Sequence, residues 1–286
     1  MKINASRLQQ HFEAMSLIGK IGETGTCRPT MTTLEKEAFT LAGSWMKEAG
    51  MSVRIDDFGN LIGRLEGRNP ALPVLMMGSH LDSQPYGGRF DGVAGVLCAI
   101  EVVTTMAENG IQPERPIEVI SFADEEGWRF NKGLFGSRGI LGKLEEGELD
   151  RTDKDGITRR QALLDFGCDP TRFAESEYKQ GSIHCFLELH IEQGPVLDMA
   201  AKPIGVVTGI SGPIWWTVRL KGMAGHTGSV PMPIRKDPMV GAAEIIMAVN
   251  EIANQVPGAP TVGSVATIQV FPASRNIIPE SCTFTI

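Results

Sequence analysis

The sequence predicts an α/β protein with a mixed, largely parallel sheet flanked by helices, followed by a smaller α+β domain. Two continuous apolar runs, residues 73–79 and 117–123, are typical of strands buried on both faces of a sheet. Residues 92–108 between them are predicted to form a helix capped by Asp91, so the order strand, helix, strand indicates a right-handed parallel crossover. After residue 211 the pattern changes to alternating strands around one helix.

The elements before the first buried strand are predicted from local spacing. Apolar residues at every third or fourth position predict a helix over residues 7–19. A second helix is predicted from Thr33 to about residue 49, where Gly50 stops it. Residues 52–56 and 61–65 are predicted to be short strands joined by a turn.

The rest of the first predicted domain, which covers residues 1–210, is less regular. Residues 143–181 are polar and rich in Asp, Arg and Gly, so we expect helices and loops at the surface, including a helix near residues 159–166. Residues 184–190 are predicted to form another strand, which ends at His190.

The second predicted domain covers residues 211–286. Alternating strands are expected at residues 214–221, 262–271 and 281–286. Asp237 and Pro238 begin the predicted helix, as N-cap and first-turn proline, and it continues to about residue 254. The sequence stops within the last strand, and we therefore expect a truncated protein whose second domain is incomplete.

The composition is that of an ordinary globular protein and argues against several functions. A net charge of −7 over 286 residues argues against a nucleic-acid binder, which needs a basic surface to meet phosphates. We expect neither a signal peptide nor a membrane span, because no apolar run has the required character. The five cysteines are scattered and odd in number, which favours reduced thiols in a cytoplasmic protein.

Five side chains that can bind metals or transfer protons lie where apolar runs give way to loops. They are His80, Asp91, Glu125, Glu126 and His190. In parallel sheets ligands bind beyond the carboxyl ends of the strands, where His80 and the glutamate pair are predicted to lie. Zinc and similar divalent metals prefer imidazole and carboxylate ligands, and a second carboxylate can move protons. The pattern therefore predicts a two-metal hydrolase.

Each of these residues has an ordinary structural interpretation when taken alone. His80 and His190 could be core histidines, Asp91 a helix N-cap, and the glutamate pair a solvated turn. Four such coincidences at strand ends favour the metal site, in which Asp91 bridges two metals. Asp82 would hold the ring of His80 from the same strand face. One of the two adjacent glutamates would bind metal and the other would face the substrate water. The second metal would still need one more nitrogen ligand, which agrees with the expectation that the protein is truncated.

Seven motifs resemble the M20 metallopeptidase/aminoacylase superfamily and, within it, the ureidohydrolase branch. The motifs lie at residues 78–83, 87–92, 121–127, 135–138, 190–195, 225–232 and 275–279. The resemblance covers nearly the whole chain. It implies a zinc-exopeptidase-like catalytic domain and a lid domain that carries a homodimer interface. It also implies a small-molecule substrate with a ureido or amide group.

The resemblance assigns roles to individual residues. The metal ligands are matched by His80, Asp91, Glu126 and His190, with Asp91 as the bridge. Glu125 matches the general base, and His226 matches a lid histidine that steadies the oxyanion in the partner protomer's active site. Asp82 joins these two in the predicted catalytic group. Gln193, Asn276 and His226 match substrate-contacting positions. The implied cofactor is two divalent ions, for which zinc, manganese, cobalt and nickel are all suitable.

The reaction implied by this resemblance is hydrolysis of the ureido C–N bond of N-carbamoyl-L-amino acids, which residues 209–216 favour over allantoate. The alternatives are an allantoate amidohydrolase or β-ureidopropionase, an N-acyl-amino-acid hydrolase or dipeptidase, and an inactive truncated fragment that serves only for dimerisation. Family members continue past residue 286, with a returning segment that supplies the last metal-ligand histidine and an arginine for the substrate carboxylate. We expect the full-length protein to be the active form.

Overall fold

The computed structural model describes residues 2–286, and the chain divides into two compact units. The first unit is Met1–Pro203 and the second is Ile204–Ile286. The boundary predicted from the sequence, 210/211, lies a few residues further along the chain. The identification of the two units as a catalytic domain and a lid stays a prediction. None of the helices within the described residues combines the length and the apolar character that a bilayer crossing requires.

A five-stranded mixed sheet forms the centre of the first unit. The strands of this unit are β1 (Lys20–Ile21), β2 (Gly25–Arg28), β3 (Ser52–Ile55), β4 (Leu61–Leu65), β5 (Val74–His80), β6 (Ser83–Gly88), β7 (Ile117–Phe122) and β8 (Ile183–Leu187). The sheet has the order β3-β4-β7-β5-β8. Strand β5 pairs in parallel with β7 and with β8, whereas β4 pairs antiparallel with β3 and β7. The predicted mixed sheet is therefore confirmed, with the two apolar strands as parallel neighbours.

Helices cover this sheet. They are α1 (Ala5–Leu17), α2 (Thr33–Glu48), α3 (Val93–Glu108), α4 (Phe135–Ile140), α5 (Arg159–Phe166), α6 (Phe173–Ser176) and α7 (Val196–Met199). Strand β7 is buried at all six positions, and both α3 and α4 contact it. The four helices predicted from the sequence in this unit agree with the structure to within two residues at each end.

The predicted cap of α3 is wrong. Gly92, with a φ of 66°, is the N-cap residue, and no side chain caps the helix. This left-handed conformation, which glycine adopts without strain, turns the chain immediately before the helix. As a result the Asp91 carboxylate does not bond to the first turn of α3; it accepts hydrogen bonds from Gln193 instead.

Two further predictions for the first unit require correction. Strand β8 ends at Leu187, so His190 lies in the following loop rather than at the end of the strand. The segment 143–181 is not confined to the surface, because Glu148, Arg159 and Leu163 are buried in it. The sequence also missed a small sheet of order β1-β2-β6, since the glycine-rich β6 has no apolar alternation.

The second unit is an antiparallel sheet with one helix. Its elements are β9 (Thr217–Lys221), β10 (Gly225–His226), α8 (Pro238–Ala253), β11 (Thr267–Phe271), β12 (Ile277–Ile278) and β13 (Ser281–Thr285). The main sheet has the order β11-β13-β9 and packs on α8 around Ala242, Cys282 and Phe284. Asp237 caps α8 as predicted, by accepting from the Met239 N–H. The predicted strand from 214 begins at Thr217, and the residue before it, Trp216, still exchanges backbone hydrogen bonds with Ile286.

The tight pairing of β5 with β7 gives a stability prediction. Gly78 has a φ of 150°, and an added Cβ would lie 1.9 Å from the Ile120 carbonyl oxygen, a backbone atom that cannot move aside. We expect Gly78→Ala to lower the free energy of unfolding by at least about 2 kcal/mol in urea denaturation. Gly43→Ala is the control, since its Cβ would meet only Val53 Cγ1 at 3.4 Å inside a helix. It should be neutral or stabilising by up to about 1 kcal/mol. Equal effects of the two substitutions would contradict this account.

Candidate metal centre

His80 is the last residue of β5, and its imidazole packs against the backbone of Gly92. An added Cβ at Gly92 would lie 2.4 Å from His80 Cδ2, so only glycine leaves room for the ring. His80 Nδ1 lies 3.0 Å from the backbone carbonyl oxygen of Asp82 and 3.5 Å from its carboxylate Oδ1. Because a carbonyl oxygen only accepts, Nδ1 carries a proton and Nε2 is the nitrogen available to a metal.

The contact between Asp82 and His80 differs from the one predicted. Strand β5 ends at His80, so Asp82 is not on the same strand face. Its backbone carbonyl makes the close contact with the imidazole, and its carboxylate is left to bond elsewhere. The backbone carbonyl of Asp82, rather than its side chain, thus fixes the orientation of the His80 ring.

Asp91 and His190 approach each other in the loops after β6 and β8. His190 Nε2 lies 3.3 Å from Asp91 Oδ1, while His190 Nδ1 lies 2.9 Å from the carbonyl oxygen of Ile191. His190 therefore also presents Nε2. Gln193 donates its amide N–H to both oxygens of Asp91, at 3.0 and 2.9 Å. One ligand atom from each of His80, Asp91 and His190 lies within 4.8 Å of the others.

Glu125 and Glu126 lie in a turn after β7 that Asp82 holds in place. The Asp82 carboxylate accepts the backbone N–H groups of Glu125 and Glu126, at 3.3 and 3.2 Å. Glu125 Oε2 lies 3.5 Å from His80 Nε2. Glu126 does not belong to the group of three described above. Its Oε1 is buried, however, and has no hydrogen-bond partner among residues 2–286.

These residues fit a divalent cation. His190 presents Nε2 to the carboxylate of Asp91, and one ligand atom of His80 lies within 4.8 Å of both residues. Nitrogen and oxygen donors of this kind suit zinc, manganese, cobalt and nickel. The unpartnered oxygen of Glu126 is a buried polar atom, which is costly unless a donor or a cation satisfies it.

Burial and like charges shift the pKa values of this centre. Burial would lower the pKa of His80, but its contacts with Asp82 and the charge of Glu125 outweigh burial and raise it to about 10. Burial is the largest cause that raises the pKa of Glu126 to about 7, and the charges of Asp82 and Asp91 add to it against the opposing charge of His80. Burial also raises the pKa of Glu125. A bound cation would relieve this concentration of acidic groups.

Two of the predicted site residues belong to the second unit and lie side by side there. His226 in β10 pairs with Ile277 in β12, and Thr227 donates its N–H to the Asn276 carbonyl oxygen at 3.1 Å. His226 Nδ1 accepts the backbone N–H of Gly228 at 3.1 Å. In the neutral ring the proton is therefore on Nε2, which is a hydrogen-bond donor.

Sequence reasoning missed the buried charges behind the centre. Arg28 is fully buried and donates Nε–H to the Leu81 carbonyl oxygen at 2.9 Å, next to His80. Arg159 is also fully buried and pairs with Asp124, the residue before Glu125. Neither arginine has a local sequence signal, because their partners lie far away along the chain.

The family comparison agrees with this geometry. Residues 76–280 match the family described as Peptidase family M20/M25/M40. The chain belongs to the M20 family. Enzymes of the M20 family generally bind divalent metal ions, as the donor set described above would allow. The resemblance to this family and its ureidohydrolase branch, predicted from the seven motifs, is confirmed.

Individual relatives match 94–99% of this sequence. The chain is 49% identical over 286 residues to an N-carbamoyl-L-amino-acid amidohydrolase of Pseudomonas sp., covering 99% of this chain and 69% of that protein. It is 36% identical to an allantoate deiminase of Arabidopsis thaliana, covering 94% and 56% respectively. The crystal structure of an amidase of the hydantoinase/carbamoylase family from Burkholderia vietnamiensis superposes with a TM-score of 0.84 at 37% identity, over 99% of this chain and 68% of that one.

The packing of Gly92 on His80 gives a prediction about metal binding. Gly92→Ala places a methyl group within 2.4 Å of the imidazole, so the ring must move. We expect the affinity for Zn²⁺, measured by calorimetric titration, to fall at least about 10-fold. Gly88→Ala is the control, since nothing lies within 4 Å of its added Cβ, and its affinity should match wild type. An unchanged affinity in Gly92→Ala would show that His80 is not a ligand.

The raised pKa values give a pH prediction for the metal-free protein. In His80, Glu126 and Asp124 the folded pKa (about 10, 7 and 7) lies above the ordinary value, so the folded state holds more protons than the unfolded chain. Their contribution to stability is therefore lost as pH rises from about 4.5 to about 10. Metal binding replaces these protons, so the increase in Tm caused by Zn²⁺ should grow with pH. A metal-free Tm that rises between about pH 5 and 9 would contradict this.

Proposed function

We propose that this protein is a metal-dependent amidohydrolase that cleaves the ureido C–N bond of N-carbamoyl-L-amino acids. The observation that carries the proposal is the convergence of the imidazoles of His80 and His190 with Asp91, beside the half-buried pair Glu125 and Glu126. The identity of 49% to a protein named for this activity supports the substrate class. The products would be an L-amino acid, ammonia and carbon dioxide.

In this proposal His80, Asp91, Glu126 and His190 would hold two divalent ions, and Asp91 would be a ligand shared by both. When bound, such ions polarise the substrate carbonyl and lower the pKa of water. The raised pKa of Glu125 suits a group that first accepts and then returns a proton. Glu125 takes the proton of the attacking water and delivers it to the leaving nitrogen. Asp82 fixes Glu125 by accepting its backbone N–H.

The remaining predicted roles concern substrate binding. His226 presents an Nε2–H donor, the type of group that stabilises a developing oxyanion. Gln193 has an exposed amide next to Asp91, and Asn276 is exposed next to His226. We propose that these residues contact the substrate, that the second unit forms a homodimer and that His226 acts in the partner protomer's site. The metal identity and a cytoplasmic location also remain proposals.

A related activity is favoured by a second observation. The allantoate deiminase of Arabidopsis thaliana is 36% identical, so allantoate is the alternative substrate. The comparisons give no support to the alternative of an inactive dimerising fragment. An assay with N-carbamoyl-L-amino acids, allantoate, β-ureidopropionate and N-acetyl-L-amino acids side by side distinguishes the substrates. Metal analysis distinguishes an enzyme, with two ions per chain, from a module with none.

The role of Glu125 gives the central prediction for this function. Glu125→Gln removes the proton acceptor but keeps the shape of the side chain. We expect kcat for the best N-carbamoyl substrate to fall by about 10²–10⁴-fold while the zinc content is unchanged. Glu114→Gln, an exposed glutamate paired with Arg68, is the control and should have no effect. Turnover that survives in Glu125→Gln would rule out this residue as the base.

A further inference from the structure

A fully buried arginine lies behind the acidic turn of the candidate centre. Arg159 is the first residue of α5, and its side chain is 0% exposed. Its Nη2 donates to Asp124 Oδ2 at 2.7 Å and to the Lys132 carbonyl oxygen at 2.9 Å. Its Nη1 bonds to the carboxylate of Glu148. One guanidinium therefore joins three segments that are distant along the chain.

Aromatic rings fix the orientation of this guanidinium. The Arg159 Cζ atom lies 4.4 Å from the ring centre of Phe135 and 4.9 Å from that of Phe130. A planar guanidinium stacks on rings and forms several directed hydrogen bonds at once, which a lysine ammonium cannot reproduce. The geometry at Asp124 is thus set by a rigid group.

Asp124 begins the turn that carries Glu125 and Glu126. Its φ of 51° is unusual for a residue other than glycine, and such a conformation persists only where the surroundings enforce it. Its carboxylate is buried and receives the charge-assisted bond from Arg159. On the other side of the turn, Asp82 holds the N–H groups of Glu125 and Glu126.

Backbone hydrogen bonds from residues 134–136, which follow the turn in sequence, also hold it. The N–H groups of Leu134, Phe135 and Gly136 donate to the carbonyl oxygens of residues 125, 124 and 123, at 3.0, 3.2 and 2.8 Å. The loop leaves no spare space, because an added Cβ at Gly133 would lie 2.2 Å from the Glu125 carbonyl oxygen. Arg159 holds both the turn, through Asp124, and the start of this loop, through Lys132.

We propose that Arg159 is a positioning residue that acts through Asp124 to place the carboxylates of Glu125 and Glu126. The roles of these glutamates as base and ligand rest on the proposed function. A buried ion pair contributes little net stability compared with an apolar pair. We therefore infer that the Arg159–Asp124 pair serves to fix the geometry of the turn. A displacement of about 1 Å in a reacting group costs about 100-fold in rate.

The test compares Arg159→Met with the loss of a partly buried arginine–carboxylate pair elsewhere. Arg7→Met is the match, because Arg7 pairs at 2.8 Å with Glu101, a carboxylate that is 1% exposed and distant in sequence from the acidic turn. We expect kcat of folded Arg159→Met to fall about 100-fold with KM within about twofold of wild type. Arg7→Met should lose stability without a change in kcat. Arg159→Lys should have a higher kcat than Arg159→Met but a lower one than wild type, since lysine keeps the positive charge but lacks the planar set of guanidinium donors.

Two measurements that do not depend on turnover complete the test. Hydrogen exchange of the amides at residues 134–136 should be at least about tenfold faster in Arg159→Met and unchanged in Arg7→Met. The affinity for Zn²⁺ alone should fall in Arg159→Met because the turn that carries Glu126 has loosened. If Arg159→Met does not fold, Asp124→Asn removes the charge from the same contact and should shift these quantities in the same direction.

The outcomes separate this proposal from the proposed function. A kcat within about twofold of wild type in Arg159→Met, with unchanged exchange at residues 134–136, would overturn the positioning role. If wild-type protein hydrolyses no N-carbamoyl-L-amino acid, the proposed function fails. The exchange and Zn²⁺ measurements would then still decide whether Arg159 places the turn.

Discussion

The carboxylate of Asp82 is the connection on which the candidate centre depends. It accepts the backbone N–H groups of Glu125 and Glu126, while the carbonyl of the same residue contacts His80. One residue thus links the end of β5 to the turn after β7. These strands are parallel neighbours, so their carboxyl ends lie at the same edge of the sheet, and the loops that follow meet there.

Concentrating so many carboxylates at a sheet edge has an electrostatic cost, which buried arginines partly offset. Arg28 and Arg159 are both fully buried and lie behind the His80 and Glu125 segments. Burial raises the pKa of Asp124 to about 7, with the charge of Arg159 opposing and that of Asp82 adding to the shift. These arginines donate hydrogen bonds to carbonyls and carboxylates behind the site. They therefore offset negative charge on that side and leave the open side acidic. A cation is the natural complement of that side.

The sequence predicted the elements with strong local signals and missed those that depend on distant partners. The apolar strands, the helices α1, α2, α3 and α5 and the cap at Asp237 were recognised, because periodicity and capping are local properties. The convergence of His80, Asp91 and His190 was predicted from strand ends meeting at one edge, but only His80 ends a strand, and the loops after β6 and β8 bring Asp91 and His190 to it. The burial of Arg159 could not be predicted, since its partners at residues 124, 132 and 148 are brought to it only by the folded chain. Asp91 was misassigned as a cap because the left-handed conformation of Gly92 has no reliable sequence signal.

The backbone favours different tautomers in three histidines of the candidate site. In His80 and His190 the Nδ1 atom faces a carbonyl oxygen, which keeps a proton on Nδ1 and directs Nε2 toward the Asp91 side. In His226 the Nδ1 atom faces the N–H of Gly228, which reverses the tautomer and leaves Nε2 as a donor. A metal ligand needs a lone pair, and a group that stabilises an oxyanion needs a proton. Whether a backbone C=O or N–H lies beside Nδ1 therefore decides whether Nε2 of the neutral ring is an acceptor or a donor, as the proposed roles of these histidines require. Because the pKa of His80 is raised to about 10, its metal-free ring carries protons on both nitrogens at neutral pH, and a cation must displace the one on Nε2.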